Sequence, residues 1–237
     1  GHALDPQDMR TMGGLKKYMP ATRMTFLIST LAIAGIPLLS GFFSKDEILF
    51  KAFEFGYDGH LVGWFVYGVG IITAFLTAIY MTRAYVLTFE GESRWPHADS
   101  IHPHESPWTM TVPLWILAGL AAVGGYLGLP AVLGEVNWIH HWLAGENGPV
   151  AEFAAHTHVS HGMEWFLIAV GSLVAISGVA LGWKWYTSEG IGFDEKLSVR
   201  FGGLYKLWKG KYFLDEAYDK VVVRPLIGSA HHAFAPF

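Results

Sequence analysis

Four stretches of this sequence each run for about twenty residues or more without a charged side chain, as a membrane-crossing helix requires. The stretches are residues 24–43, 61–82, 108–133 and 165–183. Helices buried in soluble proteins seldom stay uncharged over such lengths. Only 15% of the chain is charged, against about 25% in soluble domains. The sequence therefore predicts an all-α, polytopic membrane protein with about four transmembrane helices.

The distribution of the sixteen Lys and Arg residues predicts the orientation. They concentrate before the first apolar stretch, between the second and third, and after the fourth, whereas residues 133–164 contain none. Loops rich in Lys and Arg stay in the cytoplasm. We therefore predict a cytoplasmic loop over residues 1–23, a transmembrane region over 24–185 and a cytoplasmic amphipathic tail over 186–237. The spans lie near residues 24–55, 61–82, 108–133 and 165–185, and both ends of the chain are cytoplasmic.

The first apolar stretch continues to residue 55, which amounts to about 48 Å of helix and is too long for one straight crossing. Pro37 removes an N–H and disfavours helical geometry at Ile36, and Gly35 and Gly41 loosen the backbone. The sequence predicts a helix that ends at Ile36 or slightly beyond, an irregular stretch, and a second short helix. The first transmembrane helix is therefore predicted to be broken.

The charged residues at this break have different explanations. Ser44 and Glu47 have the S-x-x-E spacing of a capping box, which predicts that the second helix begins at Ser44. Asp46 and Glu47 would then lie in the first turn, where the positive end of the helix dipole favours acids. Lys45 would oppose the same dipole, so the local pattern leaves it without a structural explanation.

Two interpretations of Lys45 stay open at this point. Its side chain can extend along the apolar surface to the membrane interface and act as an anchor. Alternatively, the lysine is held at the break, where interrupted membrane helices bind ions or line water-filled cavities. Neighbouring groups can shift a buried lysine between its two protonation states, and ionisable groups inside membranes tend to be functional. In that case Lys45 is a proton relay and Asp46 is a residue that tunes it.

Other kinds of site find little support in the sequence. The net charge of −4 and the lack of cysteine argue against a nucleic-acid partner, a disulfide framework and a thiolate metal centre. The histidines fit no zinc spacing, and none of the four spans contains one that could bind haem. Six of the twelve histidines form two groups, one with His97, His102 and His104, the other with His156, His158 and His161 followed by Glu164. We expect no metal and no cofactor in this chain.

Several short motifs resemble one known family. They are DMRTMGGL at residues 8–15, KYMP at 17–20, GIPLLSGFFSKDEIL at 35–49, HPHESPWTM at 102–110 and YFLDEAYD at 212–219. These motifs cover nearly the whole chain in order. They are similar to the largest antiporter-like membrane subunit of respiratory complex I, which is the bacterial L subunit or mitochondrial subunit 5.

The resemblance implies a fold and a role. Members of that family have two inverted repeats of five helices, each with one broken helix, followed by further helices and a long lateral helix. Residues 24–55 then correspond to the broken helix of the second repeat. Lys45 falls on the family's lysine in the outward half of the proton path, and Asp46 lies beside it. The residues expected to shape the break are Gly35, Pro37, Gly41, Ser44 and Glu47.

The resemblance also implies that the chain is a C-terminal fragment, without the first repeat and the lateral helix. NADH, FMN, iron–sulfur clusters and quinone would be held by other subunits, because this chain has no cysteine and no nucleotide-binding fingerprint. The expected setting is a proton-pumping NADH:quinone oxidoreductase of the bacterial inner membrane, with other membrane and peripheral subunits and lipid as partners. Two alternatives stay open, namely the large subunit of a multi-subunit sodium/proton antiporter and a membrane scaffold without a proton role.

Overall fold

The computed structural model describes residues 8–95, 103–129 and 159–234, and these residues form helices joined by short connections. The α-helices are α1 (Pro20–Ala34), α2 (Ser40–Tyr57), α3 (Leu61–Phe89), α4 (Trp108–Val123), α5 (His161–Ser188), α6 (Gly192–Arg200), α7 (Gly202–Lys209), α8 (Leu214–Tyr218) and α9 (Arg224–Phe234). Short 3-10 helices cover Met9–Thr11, Leu15–Lys17, Gly124–Leu127 and Lys211–Phe213, and a π-helical turn covers Asp219–Val223. No β-strand occurs in these three ranges, which confirms the all-α prediction.

Three helices are long and apolar enough to cross a membrane. They are Leu61–Phe89, Trp108–Leu127 and His161–Ser188, the second being α4 together with the 3-10 turn that follows it. Many of their large apolar side chains are exposed, among them Phe65 and Leu173, as expected for surfaces that another apolar phase covers. The remaining predicted crossing is divided between α1 and α2. The prediction of a polytopic membrane protein with a broken first span is therefore confirmed.

The chain divides into two compact units, Gly1–Glu189 and Gly190–Phe237. In the first unit α3 is central and packs against α5, α2 and α1. α1 also packs against α4, and α2 contacts both α4 and α5. The junction between α1 and α2 therefore lies among α3, α4 and α5.

Small residues allow α3 and α5 to approach closely. A methyl group at Gly178 would lie 2.7 Å from the Cβ of Ala78, and one at Gly182 would lie 3.1 Å from the Cβ of Thr82. Ala78 and Thr82 are themselves buried at this contact. Gly178 and Gly182 have the GxxxG spacing that brings membrane helices into backbone contact. This contact fixes α5 against α3.

The second unit consists of short helices with several exposed apolar side chains, including Leu204 and Trp208 of α7. Lys211, Tyr212 and Phe213 all have positive φ, with values of 49°, 59° and 54°. This left-handed stretch separates α7 from α8, because such a conformation cannot continue a right-handed helix. The unit covers most of the segment predicted to be an amphipathic tail.

Several predictions concern residues outside the described ranges. They involve His97, His102, His156 and His158, most of the loop over residues 133–164, and the chain ends at residues 1–7 and 235–237. Two histidines of the same groups are described. His104 lies in the segment before α4, and His161 is the first residue of α5.

Candidate functional site

The break between α1 and α2 lies in the predicted region. α1 ends at Ala34 because Gly35 takes a left-handed conformation with φ 83°, and the N–H of Ile36 donates to the carbonyl oxygen of Leu31 at 3.1 Å. This hydrogen bond belongs to the Schellman ending, which favours glycine. The predicted end at Ile36 or beyond is two residues too late, since Gly35 stops the helix before Pro37 restricts it.

A tight turn joins the two half-helices. The N–H of Leu39 donates to the carbonyl oxygen of Ile36 at 3.3 Å, with Pro37 and Leu38 between them. Leu38 has φ 74°, a conformation that costs a residue with a side chain about 1–2 kcal/mol. α2 begins directly after this turn, at Ser40. The predicted interruption of the first span is confirmed.

The capping box predicted from Ser44 and Glu47 is wrong. α2 begins at Ser40 and Leu39 precedes it, so Ser44 lies one turn inside the helix. The Ser44 hydroxyl donates back to the carbonyl oxygen of Ser40 at 3.4 Å, as serines do within helices. The first turn of α2 contains no acidic residue. The helix dipole at this end therefore explains the position of neither Asp46 nor Glu47.

Lys45 faces the end of the first half-helix. Its Nζ donates to the carbonyl oxygen of Ile33 at 3.1 Å and to that of Ala34 at 3.4 Å. The last carbonyls of a helix have no partner within it and carry the negative end of its dipole. The interpretation that Lys45 opposes a helix dipole is therefore wrong, because its ammonium complements the negative end of α1. Through this contact Lys45 joins the two half-helices across the break.

Two glycines allow this close approach. A methyl group at Gly41 would overlap the carbonyl oxygen of Ala32, so the start of α2 rests directly on the backbone of α1. A methyl group at Gly35 would lie 3.4 Å from the Cδ of Lys45. Both glycines, which the sequence associates with the break, therefore border the Lys45 contact.

Asp46 faces a different helix. Its Oδ1 would lie 2.7 Å from a methyl group at Gly171 of α5, so the carboxylate packs on the backbone of that helix. Its Oδ2 is buried and forms no hydrogen bond within the described residues. Lys45 and Asp46, although adjacent on α2, therefore contact α1 and α5 respectively.

The site lies far from both ends of α5 and from the N-terminal end of α1. Gly171 is about 15 Å from the start of α5 and about 26 Å from its end at 1.5 Å per residue. α1 is about 22 Å long by the same measure, and this length separates Lys45 from the N-terminal end of that half-helix. If α5 crosses a hydrocarbon core about 30 Å thick, Lys45 and Asp46 lie inside it, where ionisable groups are costly.

A further buried acid follows on α2. Glu54 is 5% exposed, and its Oε2 accepts a hydrogen bond from the Nζ of Lys51 at 2.9 Å. Its Oε1 is buried without a hydrogen-bond partner among the described residues. Sequence reasoning does not single out Glu54, because no local pattern shows which face of α2 the other helices cover.

Glu105 contacts the opposite end of α1. Its carboxylate accepts hydrogen bonds from the N–H of Ala21 at 2.7 Å and from the N–H and hydroxyl of Thr22 at 3.3 and 2.6 Å. Burial raises the pKa of Glu105, but these bonds together with one from the Ser106 N–H outweigh it and hold the pKa below its ordinary value. The carboxylate is therefore ionised at neutral pH. The sequence gives no signal for this contact, because Glu105 and Ala21 are 84 residues apart.

Charged side chains also join the N-terminal end of α1 to α3. Glu90 accepts hydrogen bonds from the Nζ of Lys16 at 2.6 Å and the Nη2 of Arg23 at 3.1 Å. The Nε of Arg23 donates to the hydroxyl of Tyr85, a buried residue, at 2.9 Å. Burial raises the pKa of Glu90, but Lys16 and Arg23 outweigh it and hold the pKa below its ordinary value. This cluster fixes α1 at the end remote from Lys45.

Comparison with known proteins identifies similar sequences. A family model described as "NADH:quinone oxidoreductase/Mrp antiporter, TM" matches residues 2–77, which contain α1, the break and α2. Chain 5 of the NAD(P)H-quinone oxidoreductase of Picosynechococcus sp. is 41% identical over 94% of this chain and 34% of its own length. Subunit L of the NADH-quinone oxidoreductase of Mycobacterium tuberculosis is 35% identical over 94% of this chain and 33% of its own length. Subunit L of Neisseria meningitidis serogroup B is 33% identical over 92% of this chain and 35% of its own length. The chain thus spans about a third of the length of the curated relatives it matches.

Proposed function

Because this chain belongs to the family of membrane subunits named subunit L or chain 5 of NADH:quinone oxidoreductases, we propose that it carries the outward half of a proton path in such a complex. The observation that carries the proposal is the contact between the Lys45 Nζ and the carbonyl oxygens of Ile33 and Ala34 at a helix break. Interrupted membrane helices expose backbone carbonyls that bind cations and line cavities. Lys45 supplies a titratable cation at such a place.

In this proposal the Nζ of Lys45 accepts a proton and later releases it toward the outer side. The carbonyls of Ile33 and Ala34 hold the ammonium form, since both act as acceptors. Asp46 tunes the charge balance from the side of α5, where its carboxylate packs against Gly171. NADH, FMN, iron–sulfur clusters and quinone are held by other subunits of the complex, and lipid covers the outer faces of the long helices.

A sodium/proton antiporter of the Mrp type is the second candidate, because the matching family includes both kinds of protein. The names of the reported relatives favour the quinone oxidoreductase. A complex purified through a tag on the full protein should oxidise NADH with a quinone as acceptor. A purified complex that exchanges sodium for protons and leaves NADH unoxidised would establish the antiporter instead.

We also infer that residues 133–164 lie on the outer side of the bacterial inner membrane and residues 188–224 on its cytoplasmic side. The 237 residues contain no cysteine, so introduced cysteines can be labelled individually within them. Gly162→Cys and Gly203→Cys suit this purpose because a Cβ at either position has open space. A membrane-impermeant maleimide should label position 162 in intact cells and position 203 only after the membrane is opened. Labelling of position 203 in intact cells would reverse the orientation.

A further inference from the structure

α1 is held at both ends by charged side chains that belong to other segments. Glu105, in the segment before α4, accepts hydrogen bonds from the N–H groups of Ala21 and Thr22 in the first turn. Lys45, on α2, donates to the carbonyl oxygens of Ile33 and Ala34 in the last turn. A carboxylate at the N-terminus and an ammonium at the C-terminus each complement the helix dipole. The same half-helix therefore connects the two charges.

The Glu105 carboxylate is engaged on both oxygens. Oε1 accepts from the Thr22 hydroxyl at 2.6 Å and the Ser106 N–H at 3.1 Å, whereas Oε2 accepts from the N–H groups of Ala21 and Thr22. The first-turn N–H groups have no partner within a helix. Because Thr22 is bound through both its backbone and its side chain, Glu105 fixes the position and the rotation of the first turn.

α1 links the Glu105 contact to the site. The helix is uninterrupted over Pro20–Ala34, and Phe26 packs on Tyr85 and Phe89 of α3 with ring centroids 6.5 and 5.5 Å apart. Rigid elements of this kind carry displacements from one end to the other. Near the far end, the carbonyl of Ala32 touches the backbone of α2 at Gly41. If the first turn is displaced, we expect the carbonyls that hold Lys45 to shift with it.

We propose that Glu105 is a positioning residue for Lys45, acting through α1 on the two carbonyl oxygens that bind the lysine Nζ. The inference rests on the proposed function, because it takes Lys45 as the proton-carrying group. It assigns a role to the segment before α4, which lies at the other end of α1 from the break. Glu105 itself exchanges no proton in this role.

The test uses the intact complex with Glu105→Gln, which keeps the shape but replaces one acceptor oxygen by an NH2 group. Glu92→Gln is the matched control, since Glu92 is an exposed acid in the segment that follows α3. The measurement is the number of protons translocated per electron in reconstituted vesicles, normalised to assembled complex. We expect Glu105→Gln to lower this ratio toward that of Lys45→Met, and Glu92→Gln to keep the wild-type ratio.

Further variants separate a positioning role from a structural one. A double variant with Glu105→Gln and Lys45→Met should have the same ratio as Lys45→Met alone, because both changes act on one step. Reduced assembly with an unchanged ratio in the assembled complex would overturn the positioning role, as would a double variant with a lower ratio than Lys45→Met. An unchanged ratio in Lys45→Met would instead refute the proposed function, whatever Glu105→Gln does.

Discussion

Replacing Lys45 by Met is expected to lower proton translocation per electron in the reconstituted complex, because it deletes the titratable group and keeps much of the side-chain volume. The same change removes the hydrogen bonds to the carbonyls of Ile33 and Ala34. Hydrogen bonds to charged groups contribute about 1.5–3 kcal/mol each. We therefore expect some loss of assembled complex as well, and the proton ratio must be normalised to the amount that assembles.

Lys45→Arg separates these two effects. A guanidinium can donate to the same carbonyls, but it stays protonated at any accessible pH. Assembly should therefore recover with Arg while the proton ratio stays as low as with Met. Wild-type ratios and rates in both variants would leave Lys45 as a structural link or an anchor, and would favour the membrane scaffold over the proton path.

Gly41→Ala is expected to have the largest structural effect at the break. Its methyl group would overlap the carbonyl oxygen of Ala32, and the clash involves backbone, which cannot rotate away. Overpacking typically costs about 1–3 kcal/mol and sometimes more. The start of α2 must move away from α1, which separates Lys45 from its carbonyl partners. We expect a lower unfolding temperature of the complex together with a lower proton ratio.

Gly119→Ala is the matched control for this experiment. Gly119 lies inside α4, where a Cβ meets no heavy atom within 4 Å. Alanine is a better helix former than glycine by about 1 kcal/mol, so stability should stay constant or rise. If Gly41→Ala unfolds at the wild-type temperature with the wild-type proton ratio, the close backbone contact between α1 and α2 is unimportant.

The broken span could be predicted because its causes are local. Gly35 and Pro37 act on their own backbone and on that of the adjacent residue, so a helix break follows from their identity alone. The GIPLLSGFFSKDEIL motif placed Lys45 at this break. Even so, the S-x-x-E spacing of Ser44 and Glu47 gave the wrong start for α2, since the turn at Pro37 and Leu38 allows helical geometry from Ser40 onward.

The partners of the charged residues could not be predicted, because they depend on tertiary structure. Lys45 finds its acceptors on α1, and Asp46 packs on α5. Glu105 meets Ala21 across 84 residues of sequence. Each contact needs helices that only the packed bundle brings together, and no periodicity within a single helix encodes it.

The contact of Lys45 with the end of α1 has a thermodynamic consequence. A protonated and a neutral amine bind carbonyl oxygens with different strength, so the free energy that keeps α1 and α2 together depends on whether Lys45 carries its proton. Linkage makes this dependence reciprocal. Any force that pulls the two half-helices apart must change the proton affinity of Lys45 by the corresponding amount. The displacement of α1 from α2 and the proton occupancy of Lys45 are therefore coupled, and each changes the equilibrium of the other.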